Sequence, residues 1–372
     1  MKTSHKLVFA DSSKMDSCEN ESINLVVTSP PYPMIEMWDD HFSGINPQIE
    51  EALSEEKGKT AFNIMHQELN KVWTEVDRVL TEGGYACINI GDATRKIGDS
   101  FQLYPNHVKI LECFHTLGYD VLPCIIWRKQ SNKPNKFMGS GMLPPNAYVT
   151  LEHEHILIFR KGSKREFSPS DLERRWRSAY FWEERNTWFS DVWMDLKGVS
   201  QKLNHDKLRK ISAAFPFELA YRLINMYSIQ EDFVLDPFLG TGTTTLAAIC
   251  SGRNSVGYEL NNNFKEIIEE RISGLKKIQV ELSKERIINH NKFVAKKFAN
   301  QPPKYNSKNY GFPVVTNQEV KISLPIIQEI EEISSNNEYV VKYYDEGVLE
   351  PIETKIIKNS LSDFIQIEDS HL

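Results

Sequence analysis

The stretch FVLDPFLGTGTTTLAA, residues 233–248, joins a short apolar run to two closely spaced glycines and then to residues that favour a helix. The apolar run Phe233–Asp236 predicts a buried strand. Glycines at 240 and 242 allow the backbone to turn sharply and to approach a ligand without a Cβ in the way. The stretch therefore predicts an α/β fold in which a ligand lies against this turn, at the carboxyl end of a parallel strand.

The residues around the glycines limit which ligand can bind there. The dinucleotide fingerprint requires a third glycine where this chain has Thr245, and the phosphate-binding loop requires a lysine that does not follow Gly242. Neither a pyrophosphate nor a triphosphate fits this pattern. The next strand ends in Glu259, about where a carboxylate accepts hydrogen bonds from ribose hydroxyls, although a glutamate at a strand end is also common without a ligand. The pattern predicts a cofactor that contains an adenosine but no phosphate.

A second motif, TSPPYP at residues 28–33, directly follows the apolar run 23–27. Proline cannot donate a hydrogen bond to a sheet, so the strand must end near Ser29, and the backbone that follows is stiff. These residues are then held at the carboxyl end of the strand, where ligands bind in an open α/β sheet. The pattern also fits a polyproline ligand, but such ligands lie in polar linkers rather than directly after an apolar strand.

Apolar runs rich in Val and Ile alternate with helical patterns, which is typical of a parallel sheet covered on both faces. The predicted strands are Leu7–Ala10, Ile23–Thr28, Tyr85–Ile90, Cys124–Trp127, His155–Phe159, Phe233–Asp236 and Ser255–Glu259. Apolar residues at three- and four-residue steps predict one helix from Phe62 to Gly83-Gly84 and a second that starts near Pro216. After residue 275 the chain becomes Lys-rich and then acidic. Residues 276–372 are therefore predicted to be a C-terminal appendage of unknown role, and residues 1–275 the catalytic domain.

The segments TSPPY, residues 28–32, and DPFLGTG, residues 236–242, together resemble the two signature motifs of S-adenosylmethionine-dependent DNA amino-methyltransferases. Their order, with the catalytic motif first and the cofactor motif last, resembles the permuted class called beta. The resemblance covers roughly residues 5–275. It implies a Rossmann-like, doubly wound, mostly parallel sheet of seven strands that is circularly permuted. It also implies S-adenosyl-L-methionine as the cofactor and double-stranded DNA as the partner.

The resemblance assigns roles to individual residues. Asp11 is similar to the acid that contacts the cofactor adenine in this family. Phe215 begins a segment similar to the helix that packs beside the methionine moiety. The residues implied to bind the cofactor are Asp11, Thr28, Phe215, Asp236, Phe238, Gly240, Gly242, Thr243 and Glu259.

The predicted catalytic residues are Ser29, Pro30 and Tyr32, and the chemistry of a nucleobase amine explains their types. The lone pair of such an amine is delocalised into the ring, so acceptors that draw its N–H groups out of the ring plane make the nitrogen more nucleophilic. The Ser29 hydroxyl and the Pro30 carbonyl can act as these acceptors. Tyr32 offers a flat face for a base that flips out of the duplex. No strong general base is expected to be required.

The serine in the first motif also bears on the substrate. Family members with serine at this position mostly act on cytosine N4, and those with aspartate mostly act on adenine N6. The resemblance therefore implies a cytosine-N4 methyltransferase, with adenine N6 as the alternative, in a restriction–modification pair with a cognate endonuclease. A nicotinamide-dependent dehydrogenase is disfavoured by Thr245. A nucleic-acid-binding protein with a vestigial cofactor site is disfavoured because Ser29, Tyr32 and both glycines are all present.

Residues 165–200 are predicted to be an inserted target-recognition region, because residues 174–193 contain four tryptophans interleaved with arginines. Arginine reads guanine edges, and aromatic side chains stack on bases or wedge between them. The residues predicted to bind DNA are Arg174, Arg175, Arg177, Lys133 and Lys136, and the loops 94–104 and 130–146 are second candidates. Clustered tryptophans are also typical of a core or a subunit interface, so a homodimer stays open.

Composition restricts the remaining possibilities. The net charge of −7 argues against a protein that coats nucleic acid, although basic residues cluster at 127–140, 160–177 and 276–310. Five scattered cysteines without a C-x-x-C pair argue against disulfides and thiolate zinc sites. No apolar run approaches the roughly 20 residues of a membrane helix, so a cytoplasmic protein is expected. His153 and His155 share one face of a strand without an apparent third ligand, so no metal site is predicted.

Overall fold

The computed structural model describes residues 1–129, 138–196, 215–301, 303–333 and 337–345. Its strands are β1 (Lys2–Val8), β2 (Ile23–Thr28), β3 (Leu80–Ile90), β4 (Ala93–Ile97), β5 (Ser100–Tyr104), β6 (Asp120–Arg128), β7 (Met138–Gly139), β8 (Ala147–Tyr148), β9 (His153–Arg160), β10 (Val192–Trp193), β11 (Phe233–Asp236), β12 (Asn254–Tyr258), β13 (Tyr305–Asn306), β14 (Pro313–Val314), β15 (Ile327–Ile333) and β16 (Glu338–Tyr343). Its α-helices are α1 (Asp39–Ile45), α2 (Gln48–Ser54), α3 (Gly58–Val79), α4 (Asn106–Thr116), α5 (Pro169–Arg177), α6 (Trp182–Trp188), α7 (Phe217–Tyr227), α8 (Thr243–Ser251), α9 (Lys265–Ser273) and α10 (Leu275–Lys297). None of these helices combines the length and the apolar character that crossing a bilayer requires.

The described strands form one ten-stranded sheet in the order β10-β6-β9-β3-β2-β11-β12-β1-β16-β15, together with three small two-stranded sheets. Strands β3, β2, β11, β12 and β1 run parallel at its centre, and the antiparallel strands β9 and β16 flank them. All seven predicted strands are confirmed, and they occupy consecutive positions from β6 to β1. Strands β10, β15 and β16 extend this sheet beyond the seven that the resemblance implies.

Helices cover both faces of the sheet because its strands present two alternating sets of apolar side chains. On β2, Leu25 and Val27 belong to one buried core, and Val26 belongs to the other. The first core includes the inner faces of α7, α8 and α9, and the second includes those of α3 and α4. The sheet is therefore doubly wound, as the sequence predicts.

The helix predicted from Phe62 is α3, and its apolar positions are buried as the three- and four-residue spacing requires. The predicted end at Gly83-Gly84 is wrong, because α3 ends at Val79 and the chain continues directly into β3. Gly83 has a φ of +75°, and a Cβ there would lie 2.7 Å from the backbone nitrogen of Arg165. The glycines thus allow an irregular, closely packed stretch inside a strand and do not end a helix.

The segment after residue 275 packs onto the catalytic sheet. Strand β16 pairs antiparallel with β1, and β15 pairs with β16. A smaller third core joins Phe181 to Ile287 on α10 and to Phe312. The division of the chain into a domain 1–275 and an appendage 276–372 stays a prediction, but the described strands of the second part belong to the same sheet as the first.

Arg286 on α10 is buried and fixes this segment to the catalytic part of the chain. Its guanidinium contacts both carboxylate oxygens of Glu184 on α6, at 2.5 and 2.7 Å, and donates to Tyr221 Oη on α7 at 2.9 Å. We expect Arg286→Lys to lower the free energy of unfolding by about 1–3 kcal/mol, because an ammonium cannot reach all three acceptors. Urea denaturation checks this, with the exposed Lys277→Arg as the control on the same helix. Unchanged stability of R286K would contradict it.

Candidate active site

Adjacent strands β2 and β11 bring the two sequence motifs together. Leu25 pairs with Val234 and Val26 with Leu235 in parallel register, so the chain leaves both strands at the same edge of the sheet. One cleft of about 880 Å³ lies at this edge. Of the residues predicted to act at the site, those that line the cleft are Asp11, Ser29, Pro30, Tyr32, Phe215, Phe238, Gly240, Thr243 and Glu259. The two predicted motifs thus lie on one concave site, and the roles of their residues stay predictions.

The cofactor half of the cleft is built around the glycine turn. Gly240 has a φ of +54° and donates its N–H to Glu259 Oε2 at 2.8 Å, and Asn261 donates its N–H to Glu259 Oε1 at 2.8 Å. Burial raises the pKa of Glu259. These bonds fix the carboxylate at the end of β12, where its remaining lone pairs can accept hydrogen bonds from a diol. A Cβ at Gly240 would meet no described atom within 4 Å, so the space against this turn is open to a ligand.

Thr28, Asp236 and Gly242, which are also predicted to bind the cofactor, are not among the residues that line the cleft, and their contact with the cofactor stays a prediction. Asp236 is buried and accepts hydrogen bonds from Thr28 Oγ1 at 2.6 Å, from Thr244 Oγ1 at 2.6 Å and from Phe238 N at 3.0 Å. Gly242 is the N-cap of α8. The carboxylate therefore joins β2 to β11 and to the start of α8 from behind the cleft wall. The sequence pattern could not distinguish this structural role from ligand contact.

Asp236 should make stability depend on pH. Burial raises its pKa to about 6, so the folded protein binds a proton more tightly than the unfolded chain does. Stability from this group is complete below the unfolded pKa near 4 and is lost as the pH rises through 6, by about 2–3 kcal/mol in total. We expect Asp236→Asn to remove this loss. Urea denaturation of both proteins between pH 4 and 7 measures it, and parallel profiles would contradict the assignment.

The catalytic half of the cleft is a hydrogen-bonded cluster around Tyr32. Ser29 Oγ lies 3.1 Å from Tyr32 Oη, and Tyr32 Oη lies 2.9 Å from Glu154 Oε2. Asn89 Nδ2 donates to Tyr32 Oη at 2.9 Å and to Glu154 Oε2 at 2.7 Å. Burial and the Glu154 carboxylate raise the pKa of Tyr32 well above its usual value. A Cβ at Gly91 would lie 2.9 Å from Tyr32 Cε2, so this glycine leaves room for the ring.

Sequence reasoning missed Glu154 and Asn89. Both are buried, at 6% and 2% exposure, on β9 and β3. The available signal was a charged residue within the apolar strand HEHILIF, since a carboxylate is rarely buried without a partner. The hydrogen-bond partner of Glu154 could not be identified from the sequence, because Tyr32 is 122 residues away in the chain.

The sequence profile of the N6/N4 DNA methylase family matches residues 23–270. The chain belongs to this family. It is 60% identical over 93% of its length to the type II methyltransferase M.MthZI of Methanothermobacter thermautotrophicus, of which it covers 96%. It is 55% identical over 75% of its length to the type II methyltransferase M.MjaI of Methanocaldococcus jannaschii, of which it covers 94%. The methylase also matches the structure of TTHA0409 from Thermus thermophilus complexed with S-adenosyl-L-methionine, with 32% identity, a TM-score of 0.56, and coverage of 73% of this chain and 94% of that one.

The cofactor of the methylase is S-adenosyl-L-methionine. The residues present fit it, because Gly240 leaves open space at the turn and Glu259 is held in place as a hydrogen-bond acceptor. Asp11 lies across the same cleft, and the side chains of Phe215 and Phe238 supply apolar surface. Contacts of these individual residues with the cofactor stay predictions.

Helix α1 forms a wall of the cleft that sequence reasoning did not identify. Trp38, His41 and Phe42 line the cleft from this side. Burial lowers the pKa of His41, and the nearby Asp11 carboxylate opposes this shift. Arg95 on β4 holds the helix through two bonds to the Asp39 carboxylate, at 2.6 and 2.8 Å. The cleft is thus bounded by a segment tied to the β4–β5 hairpin.

The arginines predicted to contact DNA lie away from the cleft. Arg174 donates to Gln230 O and pairs with Asp171, and Arg177 pairs with Glu231. Gln230 and Glu231 precede β11, so these contacts lie at the opposite end of that strand from the glycine turn. Arg175 lies over the Phe167 ring at 4.4 Å, and Trp188 and Trp193 are buried in the core.

The predicted role of this cluster in DNA contact stays a prediction, and its described bonds are to the protein itself. Lys133 and Lys136 lie outside the described residues. The sequence pattern of tryptophans and arginines does not indicate at which edge of the sheet these residues lie. For this reason the sequence alone could not decide whether they pack inside the protein or recognise DNA.

His155 has two neighbours with metal-ligand atoms, Asp92 and His107, and the ligand atoms of all three lie within 4.8 Å of one another. The sequence did not reveal these neighbours, because they come from the end of β3 and the start of α4. The rings of His107 and His155 are stacked with centroids 4.1 Å apart and 18° between planes. An ion must lie in the plane of each ligating ring, so two stacked rings cannot bind one ion unless a ring rotates. Asp92 accepts instead from His107 Nδ1 at 2.8 Å.

Proposed function

We propose that the methylase transfers the methyl group of S-adenosyl-L-methionine to the N4 amino group of cytosine in a base that has flipped out of double-stranded DNA. The proposal is supported above all by Ser29, which lines the same cleft as the glycine turn and whose hydroxyl lies 3.1 Å from Tyr32 Oη. Serine at this position is typical of the relatives that act on cytosine N4. Adenine N6 is the alternative outcome.

The residues of this chain act by orienting the amine. The bound cofactor supplies a methyl group on a positively charged sulfur. Ser29 Oγ and the Pro30 carbonyl draw the two N–H groups of the amine, which directs its lone pair into the cleft. The face of Tyr32 stacks on the base and recovers about 1–3 kcal/mol of the cost of flipping. Holding the reactants in line then contributes most of the acceleration.

The DNA is proposed to approach at the carboxyl edge of β3. Strand β9 is antiparallel to β3, and His155 pairs with Ile90, so the chain leaves β6 and enters β9 at this edge. The described part of the segment between β6 and β9 includes Lys129 and the exposed side chains of Met142 and Leu143. The Lys129 side chain, 44% exposed beside its ion pair with Glu154, suits phosphate contact, and the exposed apolar side chains suit contact with base steps. A cytoplasmic location follows from the proposed DNA substrate.

We also propose that the methylase is the modification half of a restriction–modification pair. Its relatives M.MthZI and M.MjaI are type II methyltransferases, which supports this setting. The cognate endonuclease is a functional partner in this proposal and need not bind the methylase. A homodimer remains a second proposal, which sedimentation with and without DNA tests.

The deciding experiment is methylation of a plasmid with purified protein and S-adenosyl-L-methionine, followed by base-resolved sequencing. We expect N4-methylcytosine within one short sequence. N6-methyladenine would overturn the assignment of the base and keep the enzyme class. Absence of transfer, together with binding of NAD in place of S-adenosyl-L-methionine, would overturn the proposed reaction.

A further inference from the structure

Three side chains form hydrogen bonds with the Tyr32 hydroxyl, and their chemistry fixes the direction of these three bonds. Asn89 presents its Nδ2 to both Tyr32 and Glu154, because its Oδ1 in that position would repel the carboxylate. Tyr32 Oη therefore accepts from Asn89. A carboxylate only accepts, so the single phenolic hydrogen goes to Glu154 Oε2. The remaining lone pair of Tyr32 Oη accepts the hydrogen of Ser29.

This order leaves both lone pairs of Ser29 Oγ available toward the cleft. The Ser29 hydrogen points at Tyr32, 3.1 Å away, and so cannot compete with the N–H groups of a substrate amine. The hydroxyls form a directed chain from Ser29 through Tyr32 to Glu154. In such a chain each bond polarises the next, so a carboxylate at the end makes the Ser29 oxygen a stronger acceptor.

Both oxygens of the buried Glu154 side chain have polar partners. It is 6% exposed, and an isolated buried carboxylate would be costly. Lys129 pairs with Glu154 Oε1, while Asn89 and Tyr32 donate to Oε2. The ammonium of Lys129 belongs to a side chain that is 44% exposed, so the pair reaches from the buried tyrosine to solvent.

We propose that Glu154 accepts, through Tyr32 and Ser29, the proton that the amine loses as it takes up the methyl group, an inference that rests on the proposed function. The N–H bond breaks as a new O–H bond forms on Ser29. The original Ser29 hydrogen passes to Tyr32 Oη, and the phenolic hydrogen passes to Glu154 Oε2. One proton has then moved from nitrogen to the carboxylate, which releases it to water. Rotation of the two hydroxyls restores the starting arrangement.

Glu154 touches neither substrate nor cofactor in this relay, so it is a positioning and proton-accepting residue rather than a catalytic one. We expect Glu154→Gln to lower the single-turnover methylation rate by about 100-fold, the lower end of what general base catalysis contributes. Affinity for S-adenosyl-L-methionine should stay within about two-fold, or about 0.4 kcal/mol, because Glu154 is not among the residues that line the cleft. Tyr32→Phe, which keeps the ring and removes the hydroxyl, should have the same effect. Glu152→Gln is the matched control, since Glu152 pairs with Arg128 near the surface.

Solvent isotope effects distinguish the relay from a purely structural role. The wild-type single-turnover rate should be lower in heavy water, and the rates of E154Q and Y32F should be equal in the two solvents. A slow E154Q that keeps the wild-type isotope effect would overturn the relay, as would a wild-type rate in E154Q. A second readout needs no activity: the Cζ signal of Tyr32 in ¹³C-labelled protein should shift in E154Q and not in E152Q. Failure of the wild-type protein to methylate any DNA would refute the proposed function, and an unchanged Tyr32 signal would refute the relay.

Discussion

Ser29→Ala is expected to lower the single-turnover rate of methyl transfer by about 100- to 1,000-fold, comparable to removing one preorganised group that acts on the reacting atoms. Alanine keeps the backbone and removes the Oγ that draws an amine N–H out of the ring plane. It also removes the donor to Tyr32 Oη. Affinity for the cofactor should change by no more than a few-fold, about 1 kcal/mol. Transfer of a labelled methyl group under single-turnover conditions measures the rate.

The same substitution at the other end of β2 provides the control. Ser22 precedes this strand, and its hydroxyl donates to the nearby Glu19 O at 2.7 Å, away from the cleft. Ser22→Ala should therefore keep the wild-type rate. Wild-type turnover in S29A would show that the serine hydroxyl is not the acceptor for the amine. A large loss of cofactor affinity in S29A would mean that the serine belongs to the cofactor half of the cleft instead.

Gly242→Val is expected to weaken binding of S-adenosyl-L-methionine by at least about 100-fold, or about 3 kcal/mol. Gly242 has a φ of +83°, which is strained for any branched side chain, and an added Cβ would lie 3.0 Å from Ile268 Cγ2 on α9. We therefore expect the start of α8 to shift away from its present position. Because the Gly240 N–H fixes the Glu259 carboxylate from within the same turn, that shift also misplaces the proposed ribose acceptor.

Titration calorimetry with the cofactor measures this loss, and circular dichroism checks that G242V is folded. Gly274→Val is the control, because its φ is −82° and an added Cβ would have no described neighbour closer than 3.9 Å. Full affinity in G242V would mean that the cofactor binds away from this turn. If G242V does not fold, Gly240→Ala is the second variant to test. Its added Cβ would meet no described atom within 4 Å, so the only strain comes from the φ of +54°.

Most of the sheet could be predicted from the sequence because its strands are buried on both faces and read as apolar runs. All seven predicted strands are present, and α3 follows its apolar spacing closely. The predicted end of α3 was wrong because a glycine such as Gly83 can either end a helix or lie in an irregular strand. Only the packing of Arg165 against it decides between them. Strands β15 and β16 were not predicted to join the sheet, since the pairing of β16 with β1 spans almost the whole chain and β15 joins only through β16.

The site was predicted where a motif encodes its own geometry. Proline and glycine restrict or free the backbone locally, so the turns after β2 and β11 followed from sequence. Contacts between side chains that are distant in the chain did not follow from the sequence. The bond that Asp236 accepts from Thr28 was not predicted, and Glu154 was missed because its partner Tyr32 is remote in the chain. Burial and partner identity, which decide these roles, are properties of the packed molecule.

The bond between Thr28 and Asp236 joins residues 208 positions apart, and it has a consequence for how the enzyme comes into being. The central strands β2 and β11 can pair only after most of the chain has left the ribosome, so folding of the sheet must close a long loop late in synthesis. Until then β2 presents an open apolar edge, which is prone to intermolecular association. Nascent or truncated chains that stop before β11 carry the whole first motif and yet have no competent centre for methyl transfer.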